Sequence, residues 1–224
     1  MEDYLSEKEQ WEWLKSQVRE NGPAVILAIA LTAAAVFGWR WWQGHVDAAR
    51  LAAGDKYLQM AQAFEHGDRS RALALLAELD KDAPASPYAD QAHLLAARVY
   101  VDQGELDHAA AELAGVAEHS KDRELALVAR LRLARVQIAQ GKAESALATL
   151  GAAAGAGAFA AAYHETRGDA YYAKGDPATA LSEWRSAQSA GDSADAPLLA
   201  LKIADVASAP PAPAAQAVPP TAGK

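Results

Sequence analysis

The chain has 224 residues, 51% of them hydrophobic and 22% charged, with no cysteine and a formal net charge of −8. That is long enough for one ordinary domain, and the absent cysteines exclude disulfides, thiol catalysis and cysteine-ligated metal sites. Four basic and six acidic residues precede residue 43, leaving 17 basic and 23 acidic residues beyond it; an acidic domain without a basic stripe is poorly suited to nucleic acid.

Residues 1–22 form a short arm with three basic side chains (Lys8, Lys15, Arg19) against six acidic ones. From Ala24 to Phe37 the only polar side chain is Thr32. A core helix would show a polar stripe at the 3.6-residue period. A signal peptide would begin basic and end its apolar stretch at a small-residue cleavage site; Ala33-Ala34-Ala35 imitates the site, but the acidic start does not fit. The segment 23–42, at about 1.5 Å per residue, spans roughly 30 Å, the hydrocarbon thickness of a bilayer. Trp39, Trp41 and Trp42 supply an aromatic belt at one end, where Arg40 can snorkel to the interface. The sequence therefore predicts an uncleaved transmembrane anchor over 23–42. Ala24, Ala28 and Thr32 give it a small-residue face of the kind that packs against another membrane helix. Its orientation stays open. Lys8, Lys15 and Arg19 on one side are balanced by Arg40, Arg50 and Lys56 on the other, and only the long C-terminal part argues for translocation of the domain.

Residues 45–207 are rich in alanine, leucine, glutamate, arginine and glutamine, so the region reads as all-α. Gly67, Gly104, Gly141 and Gly175 punctuate it at a spacing of 34 to 37 residues, the period of a helix-turn-helix solenoid. Five residues after each glycine stands Ala72, Ala109, Ala146 or Ala180, and four further on Leu76, Leu113, Leu150 or Trp184. Seven before stand Met60, Ala97, Ala134 and Gly168. Paired helices approach closely where small residues face each other, and the large side chain then fills the space toward the next pair. This register resembles the tetratricopeptide repeat, with Tyr100 and Tyr171 at its aromatic position and Pro84 at its terminal proline. The match is weakest in the first repeat, where Met60 and Ala63 replace the small and aromatic residues. The expected helix pairs run over 46–81, 87–119, 123–153 and 159–190. A helix near 195–207 should cap the stack. The Pro/Ala-rich 208–224 stretch reads as a disordered tail.

Motifs for chemistry are missing. Gly155-Ala156-Gly157-Ala158-Phe159-Ala160 fits a dinucleotide fingerprint in letters, but that motif needs a preceding strand; after an alanine-rich helix it reads as an inter-repeat loop. Gly151 and Gly155 lie outside the apolar anchor, so they are no membrane dimerisation motif. The histidines at 45, 66, 93, 108, 119 and 164 include no metal-ligand pairing and read as surface or interface residues; pairs such as Asp122 and Glu124 read as solvated charges. No catalytic, cofactor or metal site is expected. The surface a solenoid offers is the concave face lined by the first helix of each pair. In this register it carries Tyr57 and Phe64, then Leu94, Arg98 and Val101. Leu131, Arg135 and Ile138 follow, and then Asp169 and Tyr172. Apolar residues interleaved with arginines suit a peptide segment. The competing arrangement pairs the arginines with neighbours such as Asp102 and Asp169 and fills the face with the C-terminal helix.

The acidic N-terminal arm, Glu20-Asn21-Gly22 before the anchor and Gly38-Trp39-Arg40-Trp41-Trp42 after it resemble the YfgM family, as do LRLARVQ at 131–137 and RGDAYYAKGD at 167–176 with Trp184 following. The resemblance covers nearly the whole chain except the 208–224 tail. It implies an ancillary subunit of the bacterial SecYEG translocon: an inner-membrane protein with its N-terminus in the cytoplasm and its repeats in the periplasm. It also implies partnership with PpiD, a membrane-anchored periplasmic prolyl isomerase, and a chaperone-like role toward unfolded secretory proteins. No catalytic residue is implied. A scaffold for another envelope complex, such as cytochrome c maturation or a secretion apparatus, is the other class of function these elements fit; fold alone does not choose.

Overall fold

The computed structural model describes residues 7–151, 156–191 and 196–208. Among them there are nine α-helices and no strand: α1 (Glu7–Glu65), α2 (Arg69–Asp82), α3 (Pro87–Asp102), α4 (Leu106–His119), α5 (Arg123–Ala139), α6 (Ala143–Leu150), α7 (Ala160–Ala173), α8 (Pro177–Ser189) and α9 (Ala196–Ser208). The expected tail lies outside the described residues, apart from Ser208, which closes α9. The loop expected around Gly155 is described from Ala156 onward, where Gly157–Phe159 form a 3₁₀ turn into α7. The chain divides into two units, Met1–Asp55 and Lys56–Lys224.

In the first unit, α1 carries the apolar segment with none of the described residues burying it: Ile26 is 70% exposed and Phe37 73%. Thr32 Oγ1 donates to the Ala28 carbonyl at 2.8 Å, so the one hydroxyl of the apolar stretch is satisfied within the helix, as a spanning segment requires. Pro23 stands inside α1 at the start of that stretch; the carbonyl four residues earlier loses its helical donor there. No break separates residue 42 from 45, where the anchor was expected to give way to the repeats. Residues 43–55 hold no proline, and their alanine, leucine and arginine favour continuing the helix over turning.

In the second unit the repeat is literal. Each first helix ends in a glycine with φ between 75° and 87° (Gly67, Gly104, Gly141, Gly175). The glycine N–H reaches back three residues, and the next N–H reaches back five, to Ala63, Tyr100, Gln137 and Tyr171, at 2.8–2.9 Å. That double bond closes the helix end, and only glycine enters the left-handed region without strain. The second helix starts at once. Asp68 and Asp176 accept from Arg71 N and Thr179 N. Between pairs, Ser86 caps α3 from Tyr88 N, and Asp122 caps α5 from Glu124 N and Leu125 N; such caps contribute about 1 kcal/mol each.

Ala72, Ala109, Ala146 and Ala180 have no exposed surface, and Leu76, Leu113, Leu150 and Trp184 are buried behind them. The fourth pair is the tightest: a methyl group at Gly168 would overlap the Trp184 indole. In the first repeat Met60 is fully buried and Ala63 nearly so; the flexible thioether fills the irregular gap that a small residue leaves elsewhere. Successive turns are joined by a ladder of polar contacts. Arg69 grips Glu105 at 2.6 and 2.7 Å, Asp107 meets Gln140 and Lys142, and Glu144 meets Lys174. The cap α9 closes the far end with Leu199, Ile203 and Val206 against Trp184, Ala187 and Tyr171.

A cleft between the first helices of repeats two and three

Between α3 and α5 lies a cleft of about 390 Å³, with Leu94, Ala97, Arg98 and Val101 on one side, Arg132, Arg135 and Val136 on the other, and Leu113 of α4 beneath. Four residues expected on the concave face meet here: Leu94, Arg98, Val101 and Arg135. Leu94 and Val136 are only 7% and 6% exposed and, with Leu113, make the floor. Arg98 stands 3.9 Å from Asp102, with both side chains more than two-thirds exposed. Arg135 Nε donates to Thr166 Oγ1 at 3.3 Å.

The other expected face residues go elsewhere. Leu131 is buried in a core with Ala134, Leu150 and Tyr163, and Ile138 packs on that cluster. The groove side of α5 is therefore 132, 135 and 136, one position round from the expected 131, 135 and 138. Tyr57 is half-buried with its ring 6.3 Å from Tyr88, and Phe64 is half-buried near its turn. Tyr172 is 52% exposed, its ring tilted 5.7 Å from Trp184. Asp169 is committed to the cap: it accepts from Trp184 Nε1 at 3.0 Å and from Lys202 Nζ at 2.8 Å. Lys202 also reaches Glu165, which is 6% exposed. Burial pulls the Lys202 ammonium down, but its hydrogen bonds and charge contacts to Asp169 and Glu165 outweigh that and hold its pKa above the ordinary lysine value. Thus α9 seats on the α7–α8 end through Lys202 and Leu199. It does not line the α3–α5 cleft.

A family model described as a tetratricopeptide repeat-like domain matches residues 15–208. An ancillary SecYEG translocon subunit of Escherichia coli (strain K12) is 35% identical over 189 residues, 83% of this chain and 89% of the relative. The chain belongs to the YfgM family. A second relative, an ancillary SecYEG translocon subunit of Haemophilus influenzae (strain ATCC 51907 / DSM 11121 / KW20 / Rd), is 27% identical over 89% of this chain and 97% of its own length. No solved structure matches.

This YfgM-family chain also carries paired features that the motif reading passed over. His93 Nδ1 lies 2.6 Å from Glu112 Oε2, and its Nε2 lies 2.8 Å from Asp80. Two repeats on, His164 Nδ1 lies 2.8 Å from Glu183, which also receives Arg167. Both pairs hold the same offsets, eleven residues before the turn glycine and eight after it. That shared offset was the readable signal. Hydrogen bonding to Glu112, with Asp80 adding to it against the opposing effect of burial, holds His93 above the ordinary histidine pKa. These are clasps between helices. Among the described residues no group of three or more His, Asp or Glu side chains is arranged to hold a metal ion.

Proposed function

We infer that this protein is a single-pass inner-membrane subunit that associates with the SecYEG translocon, with its N-terminus in the cytoplasm and its repeats in the periplasm. The observation that carries this reading is the 35% identity, over most of both chains, to a relative named as an ancillary SecYEG translocon subunit. The uncovered apolar stretch of α1 supports the anchor, since it is the one candidate span among the described residues. The repeats act without catalysis. They offer a chaperone-like contact to unfolded secretory proteins and work beside a membrane-anchored periplasmic prolyl isomerase of the PpiD kind. A short, open, partly apolar cleft fits such weak and transient contacts, because ordering a flexible client is costly in entropy.

Affinity purification from membranes in mild detergent tests the reading. Translocon subunits and the isomerase should co-purify. Recovery of a cytochrome c maturation or secretion complex without the translocon would overturn it. Protease added to spheroplasts should digest residues 43–224 and spare an N-terminal tag; protection of the domain would reverse the orientation.

A further inference from the structure

The protein is acidic, at −8 overall, yet the charged residues lining the α3–α5 cleft are all cationic: Arg98, Arg132 and Arg135, with no carboxylate among them. Several basic side chains elsewhere in the repeats have a carboxylate in close contact. Arg69 sits 2.6 Å from Glu105, Lys56 2.6 Å from Asp82 and Lys202 2.8 Å from Asp169. In the cleft the matching fails. Arg98 has only the long, exposed contact to Asp102. Arg135 holds a neutral hydroxyl. Arg132 has neither ion pair nor hydrogen bond among the described residues. A guanidinium presents a planar fork of donors whose geometry matches a carboxylate. Three of them around one cleft, with only the exposed Asp102 carboxylate 3.9 Å from Arg98 to offset them, repel one another and favour an anionic occupant.

The floor adds the second half of the specificity. Leu94, Leu113 and Val136 give an apolar base, and the volume, about 390 Å³, lies within the range of ligand-binding clefts, about 300–1,000 Å³. We propose that the cleft binds an extended segment of a partner protein that carries carboxylates beside an apolar side chain, the arginines taking the carboxylates and the floor taking the apolar group. This rests on the proposed function only in naming the chemistry of the segment the repeats receive; it holds whichever envelope partner supplies that segment.

The test uses the full chain in nanodiscs of zwitterionic lipid and fluorescein-labelled seven-residue peptides read by anisotropy. One peptide alternates leucine and glutamate, a second replaces each glutamate by glutamine, and a third keeps glutamate but replaces leucine by glycine. The first should bind at least tenfold tighter than either of the others and weaken as salt is raised. Arg98→Gln, Arg132→Gln and Arg135→Gln together should cost at least tenfold on the first peptide and leave the second unchanged. Arg132→Gln alone removes no ion pair or hydrogen bond among the described residues, so it should keep its thermal midpoint and still cost at least threefold. Equal binding of the glutamate and glutamine peptides, or binding indifferent to the arginines, overturns the proposal. So does a dimer of the chain that dissociates in the arginine variants, which would assign the cleft to a second copy. None of these results touches translocon co-purification by the wild-type chain, which is read separately.

Discussion

Replacing a glycine in mid-helix by alanine ordinarily stabilises a protein, because alanine is favoured in helices by about 1 kcal/mol. Two glycines here should respond with opposite signs. Gly115 in α4 is exposed, and a methyl group there meets nothing within 4 Å. Gly115→Ala should therefore gain about 0.5–1 kcal/mol. At Gly168 in α7 the methyl group would overlap three atoms of the Trp184 indole, a ring only 3% exposed. The ring is held by its N–H to Asp169 at 3.0 Å and by Leu199 of the cap, so it cannot swing aside cheaply. Overpacking of this kind costs about 1–3 kcal/mol, and loss of the indole hydrogen bond to a carboxylate adds about 1.5 kcal/mol or more. After the helix-propensity gain, Gly168→Ala should be net destabilising by about 1–3 kcal/mol. For a domain of this size that lowers the thermal midpoint by about 2–4 °C per kcal/mol. Circular dichroism of the full chain in detergent, run in parallel on both variants, reads the difference. A rise in the midpoint for Gly168→Ala matching that of Gly115→Ala would refute the close α7–α8 approach.

Further outcomes follow from the same packing. Ala146→Leu should cost about 1–3 kcal/mol in thermal or denaturant unfolding, whereas Glu144→Gln, which loses only an exposed partner of Lys174, should stay within about 0.5 kcal/mol. The His93 imidazole is held above its unfolded value of 6.5. The stability it contributes is thus complete below that value and is lost as pH rises through the folded pKa. The wild-type midpoint should fall more between pH 6 and 9 than that of His93→Gln, and parallel curves would dismiss the clasp. Lys202→Met strands Glu165 and Asp169 without their cation and should cost about 1–3 kcal/mol. Hydrogen exchange should quicken in residues 196–208 and remain unchanged in α3 to α5; unchanged exchange in α9 would dissociate Lys202 from the cap.

The elements legible from sequence are those fixed by local backbone chemistry. The turn glycines at 67, 104, 141 and 175 announce themselves because no other residue enters a left-handed φ so freely. The alanines five residues on mark the close approach of paired helices. The face of α5 was less legible. Residues 131, 135 and 138 and residues 132, 135 and 136 both follow helical spacing, and the choice between them is made by α7, whose Tyr163 draws Leu131 inward. The partner of Asp169 was hidden for a similar reason. Lys202 is 33 residues away, on a helix whose docking depends on the Trp184 surface.

The span of these bonds bears on how the domain is made. Lys202 to Glu165 covers 37 residues, and Arg69 to Glu105 and Tyr163 to Leu127 cover 36 each. Contacts of such short reach are formed quickly, and each repeat needs only the one before it as a template. A chain delivered from its N-terminus can thus fold pair by pair as it emerges, with no repeat waiting for a distant strand or terminus. The fourth pair is the exception. Until Lys202 arrives, Glu165 and Asp169 face each other as like charges one helical turn apart, a destabilising arrangement. Synthesis of the last repeat is therefore complete in structure only when α9 has followed it out, and a chain cut short of residue 202 would present an open end.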